Sequence, residues 1–228
     1  MCGRYRLTIE EQELLETWVA ELFTEYRPSF NIAPSRTVPV VVSGDGGRRI
    51  EGFRWGLVPS WARDPRIGNR MINARSETVA EKPSFRTAWR QARRCVVPAN
   101  GFYEWRKPGE NETAKVPYSI EMADSRPFGL AGLWEEWSGE GSRLRTFTIL
   151  TTSPNSLLKP IHDRMPVILG DSEAWDAWLD PAIPSDSLSA LFEPWDPEEM
   201  QAYPVSSRVN RPGNDGPECV EPVSEEAS

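Results

Sequence analysis

A cysteine stands directly behind the initiator methionine in the opening MCGRY. Methionine is commonly trimmed before a side chain this small. Cys2 would then carry a free α-amine and a thiol on adjacent carbons. An α-amine titrates at about 7.7–8.0, against about 10.4 for lysine, so roughly a tenth of it is neutral at pH 7. It can attack an aldehyde without burial to depress its pKa, giving a Schiff base. The thiol, near 8.5 unperturbed, can then add to the imine carbon. Closure to a five-membered thiazolidine is intramolecular and gains a large effective molarity. A cysteine used only as a small buried side chain would read the same way.

Three further groups could do chemistry. Glu104 sits in NGFYEW, where a strand puts it on the face of Phe102 and opposite Tyr103 and Trp105. A carboxyl buried among aromatics titrates high and suits proton transfer; on a wet edge it would be ordinary. His162, the sole histidine, lies in PIHDRMPVIL between Pro160 and Pro166, a rigid loop ahead of an apolar strand. Asn73 and Arg75 in MINARSET are two apart, so an extended backbone puts both on one face. An amide beside a guanidinium can orient an oxygen and a phosphate.

The surrounding pattern predicts the elements that must hold these groups. Residues 8–23 read as an amphipathic helix, with Leu14, Leu15, Trp18, Val19, Leu22 and Phe23 on one stripe and Thr8 with Glu11 as a capping box. Residues 37–56 read as two strands about a Gly-Asp-Gly-Gly turn, with Pro39 indicating an edge strand. RCVVPANGFYEW reads as strand, turn, strand. Short helices are expected at 172–179 and 185–192. Strands dominate without regular alternation with helices, which predicts a single α+β domain over 2–205. The polar, acidic residues 206–228 read as a disordered tail.

Composition narrows the function classes. With 228 residues, ten Trp and 39% hydrophobic residues the chain can bury a substantial core. Three widely spaced cysteines without a CxxC argue against a disulfide framework or zinc site, and one histidine argues against a His-based metal centre. No apolar run reaches membrane-spanning length, and Arg4 and Arg6 lead into an acidic helix rather than a signal peptide. The expectation is a soluble cytoplasmic monomer without metal or cofactor. Net charge is −8, yet residues 48–106 carry thirteen basic against five acidic side chains. Arg outnumbers Lys 22 to 4, and Arg is the better phosphate fork and base stacker. A basic face within an acidic protein is therefore open as a reading, as is a merely solvated surface.

Taken in order, MCGRY, NIAP (31–34), WGLVPSWA (55–62), INARSET (72–78), the Phe85-Arg86 pair, RCVVPANGFYEW and IHDRMP (161–166) closely resemble the SOS-response-associated peptidase family. The match runs from Cys2 to about Ala202. The resemblance implies a pseudo-barrel of strands with flanking helices, and a protein that binds single-stranded DNA and cross-links to the ring-opened aldehyde of abasic sites. By the same resemblance, Cys2 is the nucleophile and Asn73 orients the amine and sugar oxygens. Glu104 shuttles protons, and His162 assists sugar ring opening. Arg4, Arg75 and Arg164 would contact phosphate and sugar, Trp61 would stack beside the lesion, and Asn31 and Pro34 would shape the pocket floor. AP-lyase and autocatalytic peptidase activity are further expectations, as is association with the nucleoid when DNA is bound. Two rivals stand beside this reading: an N-terminal-nucleophile peptidase, and a non-covalent nucleic-acid-binding module in which Cys2 is incidental.

Overall fold

The computed structural model describes residues 2–108, 114–139 and 141–224. In chain order the first strands are β1 (Tyr5–Leu7), β2 (Ala20–Leu22), β3 (Ser29–Ile32), β4 (Thr37–Gly44) and β5 (Gly47–Trp55). The middle ones are β6 (Asn73–Arg75), β7 (Arg94–Ala99), β8 (Gly101–Arg106), β9 (Val116–Met122) and β10 (Phe128–Gly139). The last are β11 (Ser142–Thr152), β12 (Met165–Pro166), β13 (Ile168–Leu169) and β14 (Met200–Pro204). Three α-helices accompany them: α1 (Glu11–Trp18), α2 (Arg86–Arg90) and α3 (Ser172–Leu179).

Five strands close into a barrel in the order β5-β4-β7-β10-β11. The closing contact is parallel, Thr146↔Arg54 and Phe147↔Trp55, so β5 and β11 meet although the paired residues lie 92 positions apart in the chain. Trp55 and Phe147 are fully buried at that seam, with rings stacked at 6.3 Å. Closure leaves no bare edge between these two strands. A second sheet runs β14-β9-β8-β1-β3, with β1 antiparallel to both neighbours. Asn100 alone joins β7 of the barrel to β8 of the second sheet, and its side chain is tied to the backbone N–H and hydroxyl of Thr8. The predicted α+β pseudo-barrel is therefore the fold.

The hairpin β4–β5, the strands flanking Asn100 and α3 form where the patterns place them. Asp171 caps α3 by accepting from the Ala174 N–H, and Trp175, Trp178 and Leu179 are buried, each such burial contributing roughly 1.5–3 kcal/mol. Residues Ser185–Phe192 wind as a 3₁₀ helix.

Other expectations need correction. The first helix stops at Trp18 because Val19 turns into the left-handed region (φ 46°), after which β2 pairs with β5. Val19 and Phe23 are consequently exposed. The capping box is absent: Thr8 is engaged by Asn100, and Glu10 caps without a side-chain bond. Pro39 is not on an edge strand, since β4 lies between β5 and β7. The β7 ladder meets β4 only at Val41↔Val96, so no bond is lost at Pro39.

The expected tail disorder is also overturned through residue 224. Residues 206–224 fold back as a strap with 3₁₀ turns at Ser207–Asn210 and Pro217–Cys219. Val209 and Cys219 are buried with Tyr103 and Val205. Asp215 accepts from the Ser29 hydroxyl, the Asn31 N–H and Arg36. Low hydrophobicity did not prevent ordering because buried hydrogen bonds supply the anchors. Residues 225–228 lie outside the described residues.

Candidate active site at the chain start

The β1–β8 ladder sets the site. Tyr5 faces Phe102, and the Tyr103 N–H donates to the Arg4 carbonyl at 2.9 Å. Continuing that antiparallel register draws the chain start alongside Glu104. From the barrel side, β6 runs parallel to β11 with Asn73 beside Ile149, and the Asn73 amide donates to the Cys2 carbonyl at 2.7 Å. His162 comes from the loop between β11 and β12, whose turn Asn155 caps by accepting from the Leu158 N–H. Its Nε2 lies 3.9 Å from Glu104 Oε2. Four segments distant in sequence thus converge where the two sheets meet.

Burial governs the electrostatics. Glu104 is 2% exposed, and desolvation pushes its pKa up to about 7, against the pull of the positively charged chain α-amine. The Cys2 thiol is fully buried, and desolvation followed by the Glu104 charge pushes it far up, so at neutral pH it is a thiol rather than a thiolate. Its sulfur lies 3.7 Å from the Arg4 carbonyl, to which the S–H donates. Burial also lowers His162, aided by the chain α-amine and opposed by Asp163. The Arg164 backbone N–H donates to His162 Nδ1 at 3.1 Å. In the neutral ring the proton is then on Nε2, the nitrogen facing Glu104. Asn73 Oδ1 is buried with no hydrogen-bond partner among the described residues, an acceptor left beside Cys2 for an incoming N–H or O–H.

This combination can move a proton between a carboxyl poised near neutrality and an imidazole. It can also fix a backbone carbonyl and offer a spare acceptor. Among the described residues no cluster of three His, Cys, Asp or Glu side chains could hold a metal ion.

The remaining predicted residues are placed less uniformly. Arg75 is exposed at the end of β6, and Pro34 is half-buried in the turn after β3. Trp61 is 56% exposed, with its indole N–H donating to Pro83 O at 3.3 Å. Arg4 does not present an open guanidinium: Nη1 donates to Asn31 Oδ1 at 2.8 Å and to Val209 O at 2.7 Å. Asn31 is fully buried and its amide donates to three carbonyls of the strap, so it buttresses Arg4 rather than meeting a ligand. Arg164 is engaged by Glu77 and Thr151.

Sequence reasoning missed Glu77, although it lies two residues beyond Arg75 in the same motif. It also missed Val209 and Asn210, which sit in a segment read as disordered; Asn210 receives the Trp105 indole N–H at 2.6 Å. The basic central segment is partly spent on internal partners. Arg48, Arg49, Arg66 and Arg93 are ion-paired, and Arg94 is buried against carbonyls. Arg63, Arg70, Arg75, Arg86 and Arg90 are exposed.

A closed barrel thus meets a second sheet at the beginning of the chain, around which Asn73, Glu104 and His162 gather. A family model described as SOS response associated peptidase (SRAP) matches residues 1–212, and the chain belongs to that family. It is 44% identical over 226 residues to the abasic site processing protein YoqW of Bacillus subtilis strain 168, covering 97% of this chain and 99% of that one. It is 36% identical to the abasic site processing protein HMCES of Gallus gallus, covering 90% and 69%. An X-ray structure of a Bacteroides thetaiotaomicron protein superimposes with a TM-score of 0.87 at 29% identity, covering 98% of this chain and all of that one.

Proposed function

We propose that this protein binds single-stranded DNA and captures abasic sites covalently through Cys2 once Met1 is removed. The observation that carries the reading is the convergence of Asn73, Glu104 and His162 on Cys2. The Cys2 amine attacks the aldehyde of the ring-opened sugar, and the resulting carbinolamine loses one water to give an imine. The thiol sulfur then bonds to the imine carbon while its proton passes to the nitrogen, closing a thiazolidine. Overall one water leaves and nothing is oxidised or reduced. Glu104, half protonated near pH 7, takes the amine proton and returns it to the departing hydroxyl. His162 Nε2–H serves the sugar oxygen on ring opening. A thiol kept protonated by burial fits an amine-first sequence better than thiolate attack on a peptide.

Arg75 with the exposed Arg63, Arg70, Arg86 and Arg90 supplies phosphate contacts, and Trp61 a stacking face. Abasic-site processing in the Bacillus and chicken relatives supports the assignment.

Intact mass spectrometry after incubation with an abasic oligonucleotide tests it. The expected product has the mass of the Met1-free protein plus oligonucleotide less one water. Cys2→Ala should lose this adduct and keep most of its affinity for undamaged single strands. A full-strength adduct from Cys2→Ala, or from protein retaining Met1, would overturn the reading.

A further inference from the structure

Two groups compete for the same nitrogen of His162. The Arg164 backbone N–H donates to Nδ1 at 3.1 Å, which leaves the ring proton on Nε2. Asp163 Oδ1 lies 3.0 Å from the same Nδ1 and, as an acceptor, favours a proton there instead. The Asp163 side chain is 85% exposed, so water screens its pull. Which group prevails depends on how firmly the Arg164 backbone is held.

It is held through its own side chain. The Arg164 side chain, 12% exposed, makes a two-armed pair with Glu77: Nη2 donates to Oε2 at 2.8 Å and Nη1 to Oε1. Nη2 also donates to the Thr151 carbonyl of β11. Glu77 follows β6 directly after Ser76, whose N–H donates to that same Thr151 carbonyl at 2.9 Å. Glu77 and Thr151 together therefore pin Arg164, and with it the backbone donor, against the β6–β11 pair. Such two-armed Arg–carboxylate contacts fix orientation as well as position.

We infer that Glu77, acting through Arg164, is a positioning residue that keeps the His162 proton on the nitrogen facing Glu104. Glu77 is therefore more than a surface carboxylate, and Arg164 acts first as an internal brace. Without Glu77 the Arg164 backbone loosens, Asp163 draws the proton to Nδ1, and Nε2 meets Glu104 without one. The consequence for capture rests on the function proposed above; the geometry does not.

The chain has a single histidine, so ring-nitrogen NMR of the full-length protein at pH 8 reads the tautomer without ambiguity. Wild type should show the Nε2–H form. Glu77→Ala should move the ring toward Nδ1–H and slow single-turnover capture of an abasic oligonucleotide on the order of ten-fold. Glu77→Ala with Asp163→Ala should regain both the Nε2–H form and the rate. Should Glu77→Ala fail to fold, Glu77→Gln retains one accepting oxygen and should shift the ring part-way.

A folded Glu77 variant with unchanged ring signals overturns the inference; a shifted ring with an unchanged capture rate sustains the hold of Glu77 on His162 and overturns its consequence for capture. Ring signals that move as expected in a protein whose wild type captures no abasic DNA would sustain the hold of Glu77 on His162 and defeat the proposed function instead.

Discussion

The side-chain amide of Asn73 donates to the backbone carbonyl of Cys2 at 2.7 Å, so β6, paired to barrel strand β11, holds the chain just ahead of β1 in place. A hydrogen bond to a carbonyl fixes where the adjoining amine and thiol point. Asn73→Ala should slow covalent capture on the order of a hundred-fold, the scale expected of a small misplacement of reacting atoms. Asn73→Asp should be worse, because its carboxylate repels the Cys2 carbonyl that the amide now holds. Affinity for undamaged single strands should stay within about two-fold, since neither change removes a cation. Gel-based single-turnover rates beside equilibrium binding check this.

Glu104 links the proposed capture to pH-dependent stability. Burial raises its folded pKa from 4.5 to about 7, so the folded state holds a proton there that the unfolded chain releases. Its contribution to stability is fully present below about pH 4.5 and declines as pH rises through 7. Glu104→Gln, permanently neutral, should remove this decline and be relatively more stable at pH 8 than at pH 5. The difference is at most roughly 3 kcal/mol, at about 1.4 kcal/mol per unit. The same variant should lose most capture activity. Urea unfolding of both proteins at the two pH values isolates Glu104 from His162, whose depressed pKa works in the opposite direction.

The strap makes the C-terminal segment structural. Asp215 accepts from Ser29, the Asn31 backbone and Arg36, and Asn31 in turn holds Arg4. Asp215→Ala should destabilise the protein by about 1–3 kcal/mol through donors left unpaired. Truncation after Val205 should cost more, because it also uncovers Tyr103 and removes the buried Val209 and Cys219. Thermal unfolding would show a Tm loss in both. A truncated protein with wild-type stability would contradict this account of the strap.

Trp61 offers a separable test of DNA contact. Its ring is 56% exposed and outside the main core, so Trp61→Ala should leave the melting temperature nearly unchanged. Loss of one stacked base should weaken single-strand binding by about 1–3 kcal/mol, which is roughly 5- to 150-fold. Fluorescence anisotropy with an undamaged oligonucleotide measures it free of any covalent step.

Much was legible in the sequence because it depends on local rules. The β4–β5 hairpin announces itself through β-branched runs about Gly-Asp-Gly-Gly, and α3 through Asp171 and its spaced tryptophans. Cys2, Asn73, Glu104 and His162 stood out by residue type and setting, and the ordered motifs pointed to the family the chain belongs to. Helix α1 shows where local rules lose: the apolar stripe continues to Phe23, but pairing with β5 outweighs helix propensity after Trp18.

By itself, then, the sequence singled out the candidate residues and several of the elements around them, since these follow from residue chemistry and short periodicities. Only the tertiary structure decided their company. The parallel β5–β11 seam, the strap across Asn31 and Arg4, and the grip of Glu77 on Arg164 each join segments far apart in the chain. Such contacts are chosen by the packing of the whole core and the pairing of buried charges, which no local pattern encodes.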